Sequence, residues 1–98
     1  MLHELRTYTL VPGGTREYLR LYNEAGREVQ TRLLGQLVGV FTPESGDLNQ
    51  LVYLWAFDSF EDRARRRAQL MADAGFTAFR KTVRHLLMSQ DSRLLNPA

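Results

Sequence analysis

The segment Leu51–Phe57, LVYLWAF, is seven consecutive apolar or aromatic residues without one polar position. A strand sends alternate side chains to opposite faces of its sheet, so such a run requires both faces to be covered. The chain that must provide the cover has 98 residues. A domain of this size holds one hydrophobic core and lacks the helices to cover a sheet on both sides. One face is therefore expected to find its cover outside the protomer.

The remaining elements follow from local pattern. Leu2–Leu10, LHELRTYTL, reads as a strand with Glu4, Arg6, Tyr8 and Leu10 on one parity and His3, Leu5, Thr7 and Thr9 on the other; Pro12, Gly13 and Gly14 end it. From Thr15, the expected N-cap, the positions Tyr18, Tyr22, Ala25, Val29 and Leu33 recur at helical spacing, and Gly35 closes the helix. Residues 36–42 form a second strand. The turn PESGDLNQ returns the chain into Leu51–Phe57 as a hairpin. Ser59, with Asp62 three positions on, starts a further helix as a variant capping box. Its face of Phe60, Ala64, Ala68 and Met71 is expected to lie on the sheet with Arg67 in its middle, and Gly75 to break it. Phe76, Phe79, Val83 and Leu86 mark a short last helix, and Leu87–Leu95 a last strand.

The order strand, helix, strand, strand, helix, strand is an α+β, ferredoxin-like βαββαβ arrangement, one domain over residues 1–98 with a four-stranded antiparallel sheet and its helices on one face. The open face suits a second copy of itself, because a two-fold homodimer repeats one self-complementary surface and can close two sheets into a barrel.

Thirteen Lys and Arg against eleven Asp and Glu leave a net charge of only +2, which argues against a nucleic-acid partner. The arginines of RARRR, residues 63–67, are spread around their helix and make no single basic patch. There is no cysteine, no apolar run of membrane-spanning length and no basic, apolar leader, so a cytoplasmic protein without a membrane span is expected.

Three stretches together, HELRTYTLVPGGTREYLRLY, NQLVYLWAFDSFEDRARRR and SQDSRLLNP, resemble the NIPSNAP family, within the dimeric α+β barrel superfamily. The resemblance runs over essentially the whole chain. It implies a ferredoxin-like protomer, a homodimeric barrel and a biochemical role that is unsettled across the family.

Catalytic residues are not identifiable. The chain has no G-x-S-x-G, no Gly-rich phosphate loop, no H-E-x-x-H and no nucleophilic cysteine. His3 and His85 are its only histidines and are far apart in sequence, so neither a metal site nor a specific haem site is expected, and no cofactor is implied. Glu61 and Asp62 fall in the first turn of a helix, as caps and not as an acid–base pair.

The candidate ligand-binding residues are Glu4, Arg6 and Tyr8 with Tyr53 and Trp55 of the neighbouring central strand. Leu5, Thr7 and Thr9 are expected to carry the helices, which turns Glu4, Arg6 and Tyr8 into the barrel. There Arg6 would pair with Glu4 or Asp91, and a cavity with aromatic walls would take a small aromatic or anionic molecule. Two other readings stand beside it. The same side chains can fill a dry barrel, leaving an interaction or structural dimer, and fold analogy includes cofactor-free and haem-dependent oxygenases.

Overall fold

Strand β1 (Leu2–Leu10) lies in the middle of a four-stranded antiparallel sheet of order β2-β3-β1-β4, with β2 at Gln36–Phe41, β3 at Gln50–Phe57 and β4 at Leu87–Leu95. The computed structural model describes residues 1–98. Helices α1 (Gly14–Leu21) and α2 (Arg27–Leu34), joined by a π-helical turn at Tyr22–Gly26, connect β1 to β2. Helices α3 (Phe60–Ala72) and α4 (Ala74–Val83), with a 3₁₀ turn at Arg84–Leu86, connect β3 to β4. This is the ferredoxin-like α+β arrangement expected from the sequence, 18 Å through its thinnest direction, one sheet and one helical layer deep.

The local signals at the helix ends hold with two adjustments. Gly13, in the left-handed region at φ 80°, starts α1 in place of Thr15, whose hydroxyl is buried without a partner. Ser59 caps α3 as expected, accepting from the Asp62 amide at 3.0 Å. The break before α4 falls at Asp73 and not at Gly75, because the Asp73 carboxylate accepts from the Phe76 amide at 2.8 Å and restarts the helix.

The first helical run departs from its expected face after Tyr22. A stripe of Tyr18, Tyr22, Ala25, Val29 and Leu33 assumes a uniform α-helix, and the π turn widens it by a residue. The buried positions therefore become Tyr18, Tyr22, Gly26, Val29, Gln30 and Leu34, while Ala25 is exposed. Gly26 is required at that point. A Cβ there would lie 2.9 Å from the Phe79 ring, so only glycine lets α4 pack this closely.

Helix α3 is turned about a third of a turn from the expected orientation. Phe60, Ala64, Ala68 and Met71 point outward, and Asp62, Arg63, Arg66, Arg67 and Leu70 line the inner side. Across the layer Arg63 reaches a buried carboxylate on β1 with two bonds, and Leu70 is the apolar side chain that α3 buries, while Phe60 and Met71 stay exposed.

That carboxylate is Glu4, and with it the expected parity of the sheet is reversed. Opposed residues of an antiparallel pair point to the same side, and the register matches Glu4 with Trp55, Arg6 with Tyr53 and Tyr8 with Leu51. Tyr8 packs on Tyr18 of α1 and Tyr53 on Tyr22 of the π turn, so Glu4, Arg6, Tyr8, Tyr53 and Trp55 all lie beneath the helices. Leu5, Thr7, Thr9, Val52 and Leu54 occupy the open face. The reason is side-chain volume. The parity of Leu51, Tyr53, Trp55 and Phe57 carries far more apolar area than Val52, Leu54 and Ala56, and the aromatic inner faces of α1 and α4 are complementary to it. Arg6 and Glu4 share that side and neutralise each other there.

Candidate functional site

Glu4 is fully buried, and its carboxylate is the hub of the charged cluster. Arg63 approaches it with two parallel bonds, Nε to Oε1 at 3.0 Å and Nη2 to Oε2 at 2.8 Å. Arg6 Nη1 adds 3.0 Å and the Ser92 hydroxyl 2.5 Å, both to Oε2. Burial alone would raise the pKa of this carboxyl, but the bonds from Arg63, Ser92 and Arg6 outweigh it and bring it down to about 2. Of the two carboxylates expected for Arg6, Glu4 is the partner. Asp91 stands opposite Thr7, on the other face.

Arg6 is held on three sides: by Glu4, by the Tyr8 hydroxyl oxygen, which accepts from Nε at 3.3 Å, and by the Gln90 carbonyl, which accepts from Nη2 at 3.3 Å. Its guanidinium carbon sits 5.6 Å from the Tyr8 ring centre. Arg6 and Tyr8 form one wall of a cavity of about 340 Å³ between sheet and helices, a volume within the range of small-molecule sites. Tyr18, Phe76, Phe79, Leu70 and Val83 supply an apolar and aromatic floor, all of them buried. Arg67 of α3 enters from the side, while Arg80, Arg84 and Gln90 are exposed at the mouth.

Four arginines line this cavity, and no carboxylate does. Arg67 is the informative one. It is half-buried and makes no hydrogen bond or ion pair with any residue. Burial and the nearby Arg6 charge both push its pKa down, so its cationic state is disfavoured where it stands. Tyr18 is displaced the other way: burial first, then its neighbouring phenols, push its pKa up and keep the hydroxyl protonated.

Of the five candidates from the sequence, Arg6 and Tyr8 line the cavity. Glu4 stands behind Arg6 as its anchor. Tyr53 and Trp55 are sealed in the core, with a hydroxyl and an indole N–H that meet no partner. The other lining residues were missed as site candidates, and several carried a weak signal. Arg67 lies one helical turn after Arg63, and Tyr18, Phe76 and Phe79 fall at the spacing that also marks a core-facing helix, while Gln30 lies off that stripe and reaches the cavity only through the π turn. His3 is on the open face and His85 is exposed on the turn before β4, so neither lines the cavity. No group of three or more His, Cys, Asp or Glu is placed to hold a metal ion. No helix is long and apolar enough to cross a membrane.

Comparison with known proteins gives this geometry a lineage. The sequence profile of NIPSNAP matches residues 3–98. The chain belongs to the NIPSNAP family. It is 31% identical over 96 residues to human Protein NipSnap homolog 3A, a match covering 98% of this chain and 39% of that protein. A NIPSNAP family protein of unknown function from Agrobacterium tumefaciens has a solved structure 42% identical to this chain, with a TM-score of 0.97, covering 100% of this chain and 88% of the other. The matched segments span between 28 and 39% of the length of the curated NIPSNAP relatives. A structure described as an antibiotic biosynthesis monooxygenase aligns with a TM-score of 0.71 at 18% identity, covering 100% of this chain and 99% of the other. That likeness shows a shared fold.

Proposed function

We propose that this NIPSNAP domain pairs with a second copy through its open sheet face and binds a small aromatic anion in each protomer, between sheet and helices. The observation that carries the binding reading is Arg67, a half-buried guanidinium without a protein partner in a cavity that holds three further arginines and no carboxylate. A desolvated cation is costly until an anion meets it, so the cavity is electrostatically incomplete when empty. Phe76, Phe79, Tyr18 and Tyr8 provide ring faces and edges to receive the remainder of such a ligand. What the chain's own side chains supply here is positive charge, hydrogen-bond donors and aromatic walls. No carboxylate or imidazole lines the cavity to take up a proton.

Support for pairing comes from the open face. Leu5, Val52 and Leu54 form its apolar centre, and Phe41, opposite Val52, is 52% exposed. Asp91 and Arg93 of β4 flank that centre opposite Thr7 and Leu5. A two-fold axis through the sheet centre would bring the acid of each copy toward the base of the other, which makes the surface self-complementary.

Calorimetric titration of the protein with 2-naphthoate tests the binding reading. The carboxylate should bind, and the neutral 2-naphthamide should bind at least tenfold more weakly. Arg67→Ala should weaken 2-naphthoate by roughly 10- to 100-fold, the equivalent of one charge-assisted hydrogen bond, without lowering the melting temperature. No binding of 2-naphthoate, or equal binding by the Arg67→Ala protein, would overturn it.

A further inference from the structure

Two buried polar groups that line the cavity are left open by the protein. Gln30 of α2 is only 4% exposed and lines the cavity. Its carbonyl oxygen is occupied, accepting from the Tyr22 hydroxyl at 2.6 Å, while its amide nitrogen donates to no residue. Tyr18, equally buried, also lines the cavity, and its hydroxyl makes no hydrogen bond within the chain. Neither atom is among the polar atoms sealed away without a partner, which are those of Thr15, Tyr53 and Trp55. A buried side chain whose polar atom is unbonded yet not enclosed meets the open volume of the cavity.

An apolar ring alone would leave both groups unsatisfied, at a cost comparable to a lost hydrogen bond for each. Both are donors: an amide N–H₂ and a phenol that burial keeps protonated. Their complement is an oxygen atom. The π turn is what brings this about, because it shifts the inward face from Ala25 to Gly26 and carries Gln30, four residues on, to the cavity. The arginines at the wall and mouth remain for the acid.

Building on the proposed anion site, we infer that its ligands are aromatic acids bearing a second oxygen, hydroxyl or keto, held by the Tyr18 hydroxyl and the Gln30 amide. A site built to hydrogen-bond such an oxygen discriminates against the analogue lacking it, since its own buried donors are then stranded.

The test compares 6-hydroxy-2-naphthoate with 2-naphthoate on the intact chain by calorimetry. Wild-type protein should bind the hydroxy acid at least tenfold more tightly. Tyr18→Phe and Gln30→Leu should each reduce that ratio to about threefold or less, with circular-dichroism melts to verify folding. Equal binding of the two acids by wild-type protein would refute the inference and leave the anion site standing. Persistence of the preference in the folded Tyr18→Phe protein would refute it in the same way. Absence of binding by both acids would overturn the anion site and this inference together. The comparison on wild-type protein decides the matter even if a variant fails to fold.

Discussion

Replacing Glu4 with Gln keeps the shape of the side chain and removes the charge that organises the cluster. In the native protein this fully buried carboxylate receives two bonds from Arg63, one from Arg6 and one from Ser92. With the charge gone, both guanidiniums lose their counterion while staying largely buried, a change that costs about 3–5 kcal/mol. The pKa of Glu4 gives an independent figure. A carboxyl brought from its ordinary value of 4.5 to about 2 is worth about 3 kcal/mol at neutral pH. For a chain of this length that corresponds to a melting temperature lower by roughly 12 °C or more.

The pH dependence has a definite sign. Because the folded-state pKa is depressed, the contribution of Glu4 is complete above its unfolded pKa of 4.5 and declines as pH falls toward about 2. The gap in stability between wild type and Glu4→Gln should therefore be widest at pH 6–7 and narrow steadily between about pH 5 and 2. Urea unfolding followed by circular dichroism at a series of pH values measures that gap. A gap below about 1 kcal/mol at pH 7, the size typical of an exposed ion pair, would refute the account of Glu4 as a buried hub. A gap that stays constant from pH 7 to pH 2 would show that the loss comes from packing and not from charge.

Two further substitutions separate the faces and the helical packing. Leu54→Asp, on the open face, should halve the mass seen by sedimentation while leaving the far-UV spectrum intact, whereas Trp55→Asp, fully buried beneath the helices, should unfold the protomer; a Leu54→Asp protein that remains dimeric would remove the pairing proposal. Gly26→Ala places a Cβ at 2.9 Å from the Phe79 ring and should destabilise the fold by about 1–3 kcal/mol through overpacking. Thermal melts check it, and an unchanged melting temperature would mean that α4 can move away freely.

Much of this protein can be read from the residues alone. Apolar periodicity, the glycines at 13 and 35 and the Ser59 cap mark where strands and helices begin and end, because these signals act within a few residues along the chain. The unbroken run Leu51–Phe57 identifies a central strand, and the shared parity of Glu4 and Arg6 makes Glu4 one of the two carboxylates expected for Arg6, beside Asp91. Which parity meets the helices is a different kind of question. It depends on how total side-chain volume on one sheet face matches the inner faces of α1 and α4, a sum over elements far apart in sequence. Polarity along β1 alone pointed the wrong way, because Arg63 lies 59 residues from Glu4 and its carboxylate partner is visible only once α3 has docked. The cavity belongs to that tertiary level too. Arg67 and Tyr18 look like ordinary core-facing helix positions, and Gln30 like a position off that face, until the π turn and the rotation of α3 aim them into one space, and only there does it become visible that Arg67 has no ion-pair partner.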